Sequence, residues 1–283
     1  MAGLGAMLTA VITPFDASGA VDEAAFVTVL QHVCAHGSDG VVVAGSTGEA
    51  STLADDEHLR LIELAVAECP AGKTVVAGTG SNDTRHAVEM TARATELGVD
   101  ATLVVTPYYN RPDPRGIVAH YEEIGRATDK PVVLYNIPSR CSLDIPNDLL
   151  ARLGQIENVS AVKQANDDAL ALVDGLELYA GNDTTFARVL DMGGAGGILV
   201  AAHVVGDEMR RLVDEPERRA EIDAGLQDVY DATGWHNPIP IKKACALLGL
   251  CEARLRLPLV EADEERTALV REALENHKVL TPV

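Results

Sequence analysis

The chain has 283 residues, 47% of them hydrophobic and 23% charged, and carries a net charge of −20 from 43 acidic and 23 basic side chains. That length suits a single α/β barrel with or without a small appendage, and the composition is that of an ordinary globular protein rather than a disordered or fibrous one. So large an excess of acid repels nucleic-acid phosphates and anionic lipid, so neither is an expected partner, and it reads as a solvated, self-repelling surface rather than a cation site.

The opening "MAGLGAMLTAVITPFD" has no basic stretch and only a short apolar run ending at Pro14, so it does not read as a secretion signal. No later apolar run reaches the length of a membrane-spanning helix. From there, short apolar runs alternate with longer amphipathic ones, the pattern of βα units on a parallel sheet. Strands are expected at Leu8–Thr13, Gly40–Ala44, Thr74–Thr79, Ala101–Thr106, Val132–Asn136, Val159–Lys163, Leu176–Gly181 and Gly197–Val200. Between the first two, Phe26, Leu30 and Val33 recur at helical spacing, with Asp22 as N-cap and Gly37 as stop. Leu59, Ile62 and Val66 mark the next helix. After Asp83, Ala87, Met90, Ala94 and Leu97 form another stripe that ends at Gly98.

Eight strands, each followed by a helix, predict a closed (β/α)₈ TIM barrel over residues 1–224 rather than an open doubly wound sheet. Beyond it only helical runs follow, interrupted by "NPIPIK" at Asn237–Lys242 and by "RLPLVEAD" near Pro258, so residues 225–283 read as a small C-terminal helical extension. The five cysteines are scattered without CxxC spacing, which indicates neither a disulfide framework nor a zinc site and fits a reducing cytoplasm.

Barrel chemistry sits at the C-terminal ends of strands. There the chain places "GSTGE", "GTGSN", "TPYYN", "YNIPSR", "VKQAN" and "AGNDT", rich in hydroxyls and glycines and poor in carboxylates. The apolar Val159 and Val162 run straight into Lys163, which is either a solvated cation or a reagent. A strand-end lysine facing a barrel mouth is partly desolvated, which lowers its pKa from ~10.4 and frees the neutral amine to attack a ketone. Imine chemistry also needs a proton relay, for which Tyr135, Tyr109, Ser46 and Thr47 supply hydroxyls, although a buried tyrosine can equally be a satisfied core residue. His32 and His36 have the i, i+4 spacing of metal ligands but lack a third ligand, so no metal is expected. The glycines of Gly193–Gly197 precede a strand and read as a helix stop, not a phosphate cradle.

Together, "GSTGEASTL", "TPYYNRP", "YNIPSR", the lysine of "VKQAN" and "NPIPIK" resemble the dihydrodipicolinate synthase and N-acetylneuraminate lyase family, in collinear order from "TAVITPFD" to "RLPLV". The resemblance implies that Lys163 forms an imine with pyruvate and that the enamine condenses with L-aspartate 4-semialdehyde, in lysine and diaminopimelate biosynthesis. Tyr135 would move protons, linked through Ser46 to Tyr109, which in the family crosses a dimer interface. Thr47 would hold the pyruvate carboxylate, Arg140 that of the semialdehyde, and Gly181 and Ile198 would line the site through backbone groups. It further implies a cytoplasmic homotetramer built as a dimer of dimers, with no cofactor beyond the covalent pyruvate imine.

Three departures sit beside the site: Ser46 for the usual threonine, "KQAND" for "KEATG" and "AGNDT" for "SGDD". They leave room for another pyruvate-dependent member, an N-acetylneuraminate lyase or a 2-keto-3-deoxy sugar acid aldolase or dehydratase. A barrel that binds a keto acid without catalysis is the reading from a different class. In some members lysine binds between subunits at positions that match Ala50, Ser51, Asp55, His58, Asn82, His86 and Tyr108. His86 stands where a carboxylate is expected, so inhibition by lysine should be weak or absent.

Overall fold

The computed structural model describes residues 3–280, so the outermost residues of both expected spans, 1–2 and 281–283, lie outside the described residues. Eight strands, β1 (Met7–Ala10), β2 (Gly40–Val43), β3 (Thr74–Gly78), β4 (Ala101–Val105), β5 (Val132–Asn136), β6 (Val159–Gln164), β7 (Glu177–Ala180) and β8 (Gly196–Leu199), pair in parallel and in sequence order. The eighth returns to the first, closing a barrel.

Around it run α1 (Glu23–Ala35), α2 (Asp55–Glu68), α3 (Thr84–Leu97), α4 (Pro114–Arg126), α5 (Pro138–Cys141), α6 (Asn147–Leu153), α7 (Phe186–Asp191) and α8 (Ala202–Asp214). The chain then continues through α9 (Arg219–Gly225), α10 (Gln227–Gly234), α11 (Ile239–Leu247) and α12 (Glu264–Asn276). Among the described residues no helix is long and apolar enough to cross a membrane. Local sequence sets the helix ends. Asp22, Asp83 and Asp113 each accept a hydrogen bond from a backbone N–H of the first turn, satisfying donors the helix cannot use itself.

Alternation along the strands divides the apolar residues into two cores. Leu8, Ala10, Val42, Val76, Leu103, Val133, Ala161 and Ile198 fill the barrel. Their neighbours Met7, Val41, Val43, Val75, Leu134 and Val162 face outward and pack under the helices. Each Val, Leu, Ile or Met side chain so taken out of water contributes about 1.5–3 kcal/mol, which makes the strands a stiff frame for whatever their ends carry.

Three expectations need correction. First, β1 ends at Ala10 rather than Thr13. Val11 N still donates to Val42 O at 3.0 Å, but Ile12 N turns to His203 Nε2 at 3.2 Å as the chain bends toward Pro14, which has no N–H to pair. Second, β6 is followed not by an α-helix but by a 3₁₀ turn at Asp167–Ala169. The connection to β7 is short for a helical crossover, and Asn166, Asp167 and Asp168 favour turns over helix. Third, only the first two residues of "NPIPIK" belong to the break in the helical run, which spans 235–238. A cis Asn237–Pro238 bond turns the chain, and Ile239–Lys242 opens α11, with Pro240 in its first turn where no intrahelical N–H is needed.

Candidate active site

Strand alternation decides where Lys163 goes. Ala161 lies inside the barrel and Val162 outside, so Lys163 projects into the barrel and Gln164 away from it. Lys163 is 4% exposed, pairs in register with Tyr135 on β5 and Tyr179 on β7, and holds its Nζ 4.3 Å from the centre of the Tyr135 ring. Burial brings its pKa down to about 7; the Asp183 carboxylate opposes that shift and the Arg140 charge adds to it. The amine is therefore substantially neutral near pH 7, the form that carries a nucleophilic lone pair.

Burial also pushes the Tyr135 phenol up to about 12, offset in part by Arg140 and by contact with the Ser46 side chain. The phenol stays protonated and can donate to a developing oxyanion. Ser46 and Thr47 lie on the loop after β2, and the buried Thr47 Oγ1 accepts from Asn237 Nδ2 at 2.9 Å. The same Asn237 presents its carbonyl to Arg140 Nη2 at 2.7 Å. One residue of the C-terminal segment thus ties the loop after β2 to the arginine after β5. Arg140 itself is exposed at the rim.

That loop is strained. Ala44 and Glu49, which bracket it, hold positive φ angles of 53° and 55°. For residues with a Cβ this costs about 1–2 kcal/mol each. Thr13 Oγ1 fixes its far end by donating to Gly48 O at 2.7 Å.

Ile198 belongs to the same barrel-interior core as Tyr135. Gly181 donates its N–H to Gln164 O at 2.8 Å, and a Cβ there would come within 2.7 Å of Ala165, so only glycine lets β7 approach the strand that carries Lys163. Tyr109 is not brought to Ser46 and Tyr135 within one chain: it is 90% exposed with φ 72°. The departures from the family pattern form a polar network of their own. Gln164 Oε1 accepts from Asn136 Nδ2 (3.1 Å) and Asn166 N (3.0 Å), Asn166 Nδ2 donates to Asp144 (3.1 Å), and Asn182 Nδ2 to Asp167 (2.7 Å).

Two residues beside the site were not foreseen from sequence. Asp183, buried next to Lys163, spends both carboxylate oxygens on the N–H groups of Val200 (2.9 Å) and Ala201 (3.2 Å). Asn237 was visible only as the head of "NPIPIK". Elsewhere, His32 Nε2 donates to His203 O (2.9 Å) and His36 pairs with Asp207 (2.7 Å), so each has a partner of its own. Among the described residues no group of three or more His, Cys, Asp or Glu side chains is arranged to hold a metal ion. His86 Nε2 lies 3.1 Å from Asp55 Oδ1, at a shallow groove lined also by Glu89 and Arg93.

The arrangement joins a desolvated amine, a protonated phenol against it, hydroxyls on a rigid loop and an arginine at the rim. Such a set can form an imine with a small keto acid and move the protons that enamine chemistry requires. A model described as the dihydrodipicolinate synthetase family matches residues 3–277. The chain is similar, at 37% identity over 100% of both sequences, to a 4-hydroxy-tetrahydrodipicolinate synthase of Dehalococcoides mccartyi. Its fold matches a DHDPS (dihydrodipicolinate synthase) of Cyanidioschyzon merolae solved with lysine bound, at a TM-score of 0.92 and 34% identity over 98% of this chain and 99% of that one. It also matches a chloride-inhibited dihydrodipicolinate synthase of Acinetobacter baumannii complexed with pyruvate, at a TM-score of 0.93 and 32% identity over 98% and 100% of the two chains.

Proposed function

From the premise that the chain belongs to the dihydrodipicolinate synthetase family, we propose that it is a 4-hydroxy-tetrahydrodipicolinate synthase, condensing pyruvate with L-aspartate 4-semialdehyde on Lys163. The observation that carries this reading is the buried Lys163 amine, its pKa near 7, lying against the Tyr135 ring.

The neutral amine adds to the pyruvate ketone carbon, and loss of water gives a protonated imine. Removal of a methyl proton then yields an enamine, with the imine nitrogen as electron sink. The enamine carbon attacks the semialdehyde aldehyde, whose oxygen takes up a proton. Finally the substrate's own amine adds to the imine carbon, expels Lys163 and closes the ring. Tyr135 carries the protons through Ser46, Thr47 holds the pyruvate carboxylate, and Arg140 pairs with that of the semialdehyde, a task suited to a planar two-pronged donor. Gly181 and Ile198 complete the wall. The reaction as proposed uses no cofactor beyond the imine.

The exposure of Tyr109 leaves it open to a neighbouring copy, which supports a dimer in which each lends this phenol to the other's relay. The proposal extends to two such dimers as a tetramer in the cytoplasm. The His86–Asp55 pair supports weak or absent inhibition by lysine, because an imidazole gives an ammonium group no anionic partner. Micromolar inhibition in a steady-state assay would refute that expectation.

Borohydride reduction with pyruvate, followed by peptide mass mapping, should leave a stable adduct on Lys163. No adduct would leave only a keto-acid-binding barrel. A coupled assay offering aspartate semialdehyde against sialic acid and 2-keto-3-deoxygluconate should show turnover with the first, and preference for a sugar acid would move the chain to another branch of the family.

A further inference from the structure

The strained loop carrying Ser46 and Thr47 ends at Glu49, and Glu49 is held by the C-terminal segment. Its carboxylate is 2% exposed, with Lys242 Nζ bonded to one oxygen and the Arg256 backbone N–H donating to the other at 3.0 Å. Lys242 is fully buried, and its Nζ lies 4.3 Å from the centre of the Phe15 ring, with the Arg256 guanidinium carbon 4.4 Å from the same ring. Arg256 then closes a two-pronged pair with Glu57 of α2, both contacts at 2.6 Å. It also donates to Gly19 O (3.0 Å) and Thr52 O (2.8 Å).

A buried ion pair is a poor way to gain stability, since an apolar pair of similar volume is often as good or better. What it does supply is direction. Two donors on two oxygens fix the orientation of Glu49, and with it a backbone conformation that residues with a Cβ keep only when their surroundings over-determine it.

We propose that Glu49, Lys242 and Arg256 are positioning residues, a buried clasp by which the C-terminal segment holds the Gly45–Glu49 loop so that Ser46 meets Tyr135 and Thr47 faces the keto acid. This rests on the site reading given above. The clasp touches no reacting atom. Its loss therefore loosens pyruvate binding more than it slows the chemistry of pyruvate already bound.

The test is the Glu49→Gln/Lys242→Met double variant, which removes both charges while leaving an acceptor for the Arg256 N–H. Each protein is titrated with pyruvate, trapped with borohydride and scored for adduct on Lys163, and a thermal melt reports the fold. The double variant should fold, and its half-saturating pyruvate concentration should rise on the order of tenfold while the trapping rate at saturation changes less. Glu49→Gln alone, which keeps an acceptor oxygen opposite Lys242, should fall between it and the parent. Unchanged half-saturation in the folded double variant overturns the inference. A parent chain that traps no pyruvate overturns the site reading instead. If the double variant does not fold, Glu49→Gln is read in its place. If neither folds, the clasp serves the fold rather than the loop, and the inference falls.

Discussion

The chain buries two lysines, and the difference between them matches the two roles proposed for them, reagent and fastener. Lys163 and Lys242 both hold Nζ 4.3 Å from an aromatic ring, Tyr135 in one case and Phe15 in the other, and burial lowers the pKa of both. Lys242 is bonded to the buried Glu49 carboxylate, which resists that lowering. Lys163 has only the field of Asp183, whose oxygens are already taken by Val200 and Ala201. Burial alone therefore does not make a nucleophile. Burial without a bonded anion leaves a lysine partly neutral near pH 7.

Exchange of each lysine for methionine tests the contrast most strongly. Lys163→Met should abolish the borohydride-trapped adduct and cut condensation at least about a thousandfold, with no loss of thermal stability, because an apolar chain of similar length replaces a desolvated amine. Lys242→Met should do the reverse: it strands Glu49 without its cation, costing about 3–5 kcal/mol in a denaturant titration, while adduct still forms at saturating pyruvate. An adduct lost in Lys242→Met, or a large destabilisation in Lys163→Met, would break the contrast.

A smaller effect sharpens it. The protonated form of Lys163 cannot attack, so the rate of adduct formation should climb with pH, inflect near 7 and level off above. Asp183→Asn removes a negative charge that favours the ammonium form, so the inflection should move to lower pH, by about one unit or less. An inflection near that of an ordinary lysine would show that Lys163 is not desolvated, and an upward shift in the variant would reverse the role given to Asp183.

Much of this was legible in the residue order, for physical reasons. The barrel could be read because alternation within strands and 3.6-residue spacing within helices are local patterns, and the closed eight-stranded ring follows from their count. The inward position of Lys163 could be read because strand alternation puts it on the face of Ala161 and opposite Val162. The β6–β7 connection was misread because the alternation of the whole chain suggested a helix that its own Asn and Asp residues do not favour. Asp183, Asn237 and the partners of Glu49 were hidden for another reason. Their roles depend on contacts between residues far apart in sequence, Asn237 with Thr47 and Lys242 with Glu49, and no local period encodes such a meeting.

The cis turn at Asn237 and the helix it opens bear on how far the chain can be shortened. Residues 225–283 look like an ornament on a self-sufficient barrel, yet they supply the amide bonded to Thr47, the carbonyl bonded to Arg140 and the cation bonded to Glu49. A gene ending where the barrel ends would encode eight strands with an unfinished mouth. The C-terminal segment and the strand-end loops are therefore tied to one another at the mouth of the barrel, although they lie far apart in the polypeptide.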